Sequence, residues 1–210
     1  MTLQQYKPHE LVKGRPRVEA LTQEDYLRIK DHMPTRRALL VTKLLRVTGI
    51  RVSELLDLDA GFVEDDPPFA VLKVTRGKSM APADVFVPGS VAVELREHIR
   101  FFRMNPGDPL FPGRKYNGAA HKYSRVSFWK DFTAASRAAL GAPANPHLLR
   151  DLYEMTVAGP VANELNIRID NDLASIMLGH ASTKTTRESY NRALTVAVRK
   201  QVQEAVGRYA

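Results

Sequence analysis

Thr48-Gly49-Ile50-Arg51-Val52-Ser53-Glu54-Leu55 reads as the end of one helix, a tight turn and the start of another. Upstream, Leu40, Leu44 and Leu45 recur on one face of a helix predicted from near Pro34 to Val47. Gly49 suits the stop. A short helix then carries Arg51 to Leu58, with Arg51 in its first turn beside free amides and a partial positive charge. About a hundred residues later stands His147-Leu148-Leu149-Arg150. Pro146 fits a helix start there, and residues three apart share one helical face. A guanidinium offers planar, paired donors and keeps its charge, so both arginines suit a phosphate. Each piece alone also admits a plain structural role, as a surface arginine beside a glycine stop or as a capping histidine.

The elements around these stretches predict a mainly α fold with a small antiparallel β-sheet, an α+β arrangement. Thr22 caps a first helix with Glu24 and Asp25 in its first turn. Phe69–Thr75 and Asp84–Val87 alternate as strands, and Gly77 and Pro82 mark a hairpin between them. Residues 90 to 102 return to helical spacing, and 109 to 112 form a short extended piece. Helices then dominate, at about 124 to 140, 147 to 165, 170 to 178 and 183 to 206. Residues 1 to 20 hold Lys7, Pro8, Lys13, Gly14, Arg15, Pro16 and Arg17, the composition of a basic, extended arm or of a disordered terminus.

The chain has 210 residues, a length for one domain with at most a small appendage. It has 31 Lys and Arg against 23 acids, a formal charge of +8, which favours a polyanionic partner such as nucleic acid. There are no cysteines, so disulfides and cysteine-ligated zinc are excluded. No apolar run reaches a membrane span and the N-terminus lacks a secretory core, so a cytoplasmic location is expected, nucleoid-associated when on DNA. Gly77-Lys78-Ser79 is not a phosphate-binding loop, since Leu72 stands where that motif needs glycine.

Two further stretches complete an ordered set: Leu178-Gly179-His180 and then Tyr190. Gly179 can end a helix and let His180 project from the turn. Histidine titrates near neutral pH and can move protons, and a tyrosine hydroxyl can be a nucleophile. Such a set can cut and rejoin a phosphodiester without metal.

From about Leu21 to the C-terminus, these motifs resemble the tyrosine recombinases, also called phage integrases. The resemblance implies their catalytic-domain fold over residues 21–210, with 192–210 as a C-terminal helix. It implies a site-specific recombinase that acts on double-stranded DNA through a 3′-phosphotyrosine intermediate, with no cofactor and no metal. Arg51 and Arg150 would clamp the scissile phosphate, His147 would assist proton transfer, and His180 would hydrogen-bond the phosphate. Lys78 would protonate the leaving 5′ oxygen, with Lys73 as a rival. Tyr190 would be the nucleophile. It lies ten residues beyond His180, one more than is usual in the family, so Ser189 occupies the usual position. Tyr153 is the other tyrosine candidate and is expected to pack rather than react.

The family also differs from this chain in Asp151, where many members have histidine, and in a longer stretch between Arg150 and His180. Members commonly carry a separate helical domain ahead of the catalytic one, and about 20 residues precede Leu21 here. The resemblance further implies a homo-oligomer on DNA. Leu194, Val198, Val202 and Val206 recur every four residues, a pattern for packing on a neighbour or on the chain's own core. A non-catalytic DNA-binding protein of this fold, a type IB topoisomerase and a telomere resolvase are the alternative functions.

Overall fold

Thr22 starts the first helix with a reciprocal cap. Its Oγ1 accepts from the Asp25 N–H at 3.1 Å, and the Asp25 carboxylate accepts from the Thr22 N–H at 3.0 Å. The computed structural model describes residues 9–12, 15–76, 81–116, 119–164 and 196–209. Helix α1 spans Gln23–Asp31 and α2 spans Arg36–Thr48, with Thr35 capping α2. Gly49 ends α2 in the left-handed conformation, at φ 62°. Helix α3, Val52–Leu56, follows at once. Helices α4 (Gly89–Phe101) and α5 (Arg125–Leu140) match the apolar spacing to within one residue at each end.

The sheet is larger than its hairpin. β4 (Phe69–Arg76) and β5 (Ala81–Val87) pair antiparallel in the expected place. A further strand, β3 (Val63–Asp66), pairs with β4 on its other side. Only Val63 in its Val-Glu-Asp-Asp sequence favours a strand, so pairing with the neighbouring backbone rather than side-chain preference creates it. A second hairpin, β6 (Pro112–Tyr116) with β7 (Ala119–Lys122), stands before α5. At the N-terminus β1 (His9–Val12) pairs antiparallel with β2 (Arg15–Arg17), so this stretch is a hairpin rather than a single extended arm. Buried Val18 follows it and bonds through its N–H to the Pro143 carbonyl at 3.2 Å.

The helix expected over 147 to 165 is three pieces: α6 (Leu148–Tyr153), a π-helical turn over Glu154–Ala158, and α7 (Gly159–Glu164). Proline has no N–H and its ring crowds the carbonyl four residues back. With Pro160 in the way, the Gly159 N–H bonds instead to the Glu154 carbonyl, five residues back, and the helix widens there. The helix expected at 170 to 178 lies outside the described residues. Helix α8, Val196–Tyr209, extends three residues past the expected end.

Among the described residues, two apolar clusters hold the fold. The larger is centred on Leu44, Leu45, Ile50, Leu55, Phe111, Phe128, Phe132 and Leu149. The smaller joins Tyr153, Val157, Ala158 and Val161 to Val202, Ala205 and Val206 of α8, so this helix packs on its own chain. Buried His98 binds the Leu110 carbonyl through Nε2 at 2.9 Å and lies against the Phe102 and Phe111 rings.

Burial, joined by the charges of Arg36 and Arg37, pushes the pKa of His98 down, against the bond to Leu110, which favours the proton. Unfolding releases an imidazole that protonates below about pH 6.5. The unfolded state then binds more protons, so stability is full above that pH and falls below it, by up to about 1.4 kcal/mol per pH unit. Urea unfolding at pH 7.5 and 5.5 should show this loss, and His98→Asn should shrink it. An equal loss in the variant would place the titrating group elsewhere.

Candidate active site

The Gly49 turn joins the two arginine-bearing segments. Arg150 Nη1 donates to the Gly49 carbonyl at 2.8 Å, across 101 positions of sequence. The ring of Tyr153, one helical turn beyond Arg150, covers the α-carbon of Gly49. A side chain there would place its Cβ 2.2 Å from Tyr153 Cδ1. Glycine is therefore required twice at position 49, for its positive φ and for the close approach of the ring. Tyr153 is buried at 2% exposure, as the packing role expected for it requires.

Arg51 occupies the N-cap position of α3 and is half-exposed. Glu54 holds it at two points. Its carboxylate accepts from the Arg51 N–H at 3.0 Å and from Nη1 at 2.7 Å. The Glu54 side chain is only 5% exposed, so it is a fixed anchor rather than a loose surface partner. Glu54 was not among the residues singled out from sequence. Its signal was present, as a glutamate at the third position of a helix whose cap needs an acceptor.

Arg150 is 6% exposed. Its pKa is lowered, first by burial and then by the charge of Arg51, while Glu54, Glu154 and Asp151 act the other way. The guanidinium still stays protonated at any ordinary pH. The bond to the Gly49 carbonyl holds Arg150 against the turn that carries Arg51, so the two cations share one neighbourhood. An anion placed there would relieve their repulsion.

His147 is exposed at the start of α6, with its N–H bonded to Asn145 Oδ1 at 2.9 Å. It borders a cleft of about 470 Å³ together with Arg51, Ser53 and Asn145. The start of α5 adds Arg125, Val126 and Trp129 to the same cleft. Arg51 and His147 thus face common space, while Arg150 lies buried, tied to the turn that carries Arg51. Helical spacing puts His147 and Arg150 on one face, but tertiary packing makes one exposed and the other buried.

Lys73 is engaged on the sheet. Its Nζ lies 2.8 Å from Glu64 of β3 and 3.0 Å from Asp84 of β5. These partners raise its pKa, the hydrogen bond that Lys73 donates to Glu64 most of all. Lys78, in the connection between β4 and β5, lies outside the described residues, as do His180, Ser189 and Tyr190.

The model of the phage integrase family matches residues 19–195. The chain belongs to the phage integrase family. Among the relatives of this integrase-family chain is the tyrosine recombinase XerA of Pyrococcus furiosus, 27% identical over 189 residues. That match covers 89% of this chain and 62% of XerA. XerD of Caulobacter vibrioides is 26% identical over 183 residues, covering 83% of this chain and 57% of XerD. The chain therefore spans about three-fifths of the length of these relatives. Among solved structures, XerA recombinase has a TM-score of 0.61 at 18% identity, covering 94% of this chain and 66% of that one. A lambda integrase tetramer bound to a Holliday junction has a TM-score of 0.59 at 18% identity, covering 79% of this chain and 47% of that one. These likenesses show that the fold is that of tyrosine recombinase catalytic domains.

Gly49→Ala should destabilise the chain by more than about 2 kcal/mol, since the strain of a positive φ adds to a collision with a buried ring. Adding Tyr153→Ala should remove the collision but leave the backbone strain. Thermal unfolding of the single and double variants separates the two effects. A Gly49→Ala protein as stable as the wild type would mean that the turn does not adopt this conformation.

Proposed function

We propose that this chain is a site-specific DNA recombinase that cuts and rejoins strands through a 3′-phosphotyrosine. The observation that carries the reading is the meeting of Arg51 and Arg150 at the Gly49 turn, beside a cleft bordered by His147. Family membership supports it. Residues 1–20 would serve as a basic N-terminal arm, and residues 21–210 as the catalytic domain.

In this reading the Tyr190 hydroxyl attacks the scissile phosphorus. The bond from phosphorus to the 5′ oxygen breaks, and a bond from phosphorus to the tyrosine oxygen forms. His147 assists removal of the tyrosine proton, and Lys78 supplies a proton to the departing 5′ oxygen. Arg51 and Arg150 neutralise charge growing on the non-bridging oxygens, and His180 adds a hydrogen bond. Preorganised donors of this kind are typically worth about 3 kcal/mol each, so the arginine pair supplies the largest contribution. The phosphotyrosine keeps the energy of the broken bond, so rejoining needs no ATP. No metal is needed, because guanidinium groups take the place of a Lewis acid.

Double-stranded DNA is the proposed substrate, and a charge of +8 favours it. A homo-oligomer on DNA is proposed as well, since exchange between two duplexes needs several active sites. Lambda integrase, which shares the fold, has been captured as a tetramer on a Holliday junction.

With a nicked suicide duplex, the wild-type chain should form an SDS-resistant adduct. Tyr190→Phe should abolish that adduct while DNA affinity stays within about twofold. An adduct that persists would move the nucleophile to Ser189 or Tyr153, and a wild-type chain that binds without any adduct would be a binding module. Salt provides a separate check. Log affinity should fall linearly with log salt at roughly −0.9 per phosphate contact, and deleting residues 1–17 should flatten the slope. An unchanged slope would remove the arm from the interface.

A further inference from the structure

Helix α5 has two unlike faces. Phe128, Phe132, Ala135 and Ala139 are buried in the main core. On the outer face Arg125, Lys130 and Arg137 are exposed, and none has an ion pair among the described residues. In the midst of this cationic face lie two apolar side chains, Val126 at 60% exposure and Trp129 at 48%. Trp129 is the chain's single tryptophan. Arg125, Val126 and Trp129 also border the cleft that holds Arg51 and His147.

A cationic face with an apolar centre suits a surface that is anionic at its edges and apolar between them. Duplex DNA has this chemistry, with phosphates flanking a major groove in which thymine displays a C5-methyl group. The groove also admits an α-helix. We propose that Val126 and Trp129 form a reading ledge that contacts thymine methyl groups in the base pairs beside the cleaved phosphate. The neighbouring cations hold the backbone and set position, while the ledge contributes sequence preference. The shared cleft fixes which bases are read, because the wall that offers the ledge also faces Arg51. This inference rests on the DNA strand-transfer reading.

The test begins with duplexes selected from a random library by the wild-type chain. Each thymine near the cleavage point is then replaced, one at a time, by deoxyuridine, which keeps its pairing but lacks the methyl group. At one or two positions the replacement should weaken wild-type binding about fourfold, the value for one buried methyl-sized group. Emission from Trp129 should shift when the duplex binds. Trp129→Ala and Val126→Ala should bind the thymine and deoxyuridine duplexes equally, and Trp129→Phe should restore part of the difference. Circular dichroism confirms that each variant is folded. An unmoved Trp129 emission together with no deoxyuridine effect overturns the inference. So does a Trp129→Ala protein that keeps the same preference, or one that changes only its assembly state, which would make the ledge a contact between protomers. A covalent adduct formed without any deoxyuridine effect rejects the ledge alone. Failure to bind any duplex rejects the strand-transfer reading itself.

Discussion

The hydrogen bond from Arg150 to the Gly49 carbonyl is the contact on which the site depends. It joins the turn after α2 to the start of α6, and so brings two guanidinium groups into one neighbourhood. Like charges resist this approach. The fold supplies what holds them: the bond to Gly49, the anchor of Glu54 on Arg51, and the ring of Tyr153 closing the other side of the turn. A pair held this way has its repulsion built in before any ligand arrives. In the proposed reaction an incoming phosphate would meet donors already in place, which is the condition under which charge stabilisation is most effective.

Below the site, the break in the long helix connects chemistry to packing. Pro160 widens the helix into a π turn; Tyr153 and Val161 on either side of that turn, with Val157 and Ala158 within it, belong to the smaller apolar cluster. Helix α8 completes this cluster through Val202, Ala205 and Val206. Tyr153 therefore belongs both to the floor of the arginine turn and to the seat of the last helix.

The sheet and the hairpins serve different ends. β4 is flanked by β3 and β5, and Lys73 bridges acids on both neighbours, which ties the three strands together on their charged side. The β6–β7 hairpin leads directly into Ser124, the cap of α5, and so sets where the cationic face of that helix begins. The Arg37 guanidinium stacks over the Tyr123 ring at 4.1 Å and donates to the Pro112 carbonyl, fixing the base of this hairpin to α2. In this way α2 positions the arginine turn and steadies the element that leads to the opposite wall of the cleft.

Local chemistry was legible in the sequence. The Thr22 cap, the Gly49 stop and the helical spacing of α2, α4 and α5 depend on contacts within a few residues, and the β4–β5 hairpin on pairing between adjacent segments of chain. The ordered residues Arg51, Lys78, His147, Arg150, His180 and Tyr190 could be picked out because their types and order match one chemistry. For Lys78, His180 and Tyr190 that order remains the basis of assignment. Other features depend on distant partners. β3 exists because β4 lies beside it, not because Val-Glu-Asp-Asp favours a strand. The three-part helix around Pro160 required knowing that the chain would continue helically past a proline instead of stopping. Helical spacing placed His147 and Arg150 on one face, yet only packing could expose one and bury the other, or make Glu54 the anchor of Arg51. The sequence by itself determined which groups could meet a phosphate, because side-chain chemistry is local. The tertiary structure decided which of them meet each other, because a bond across 101 positions has no local signature.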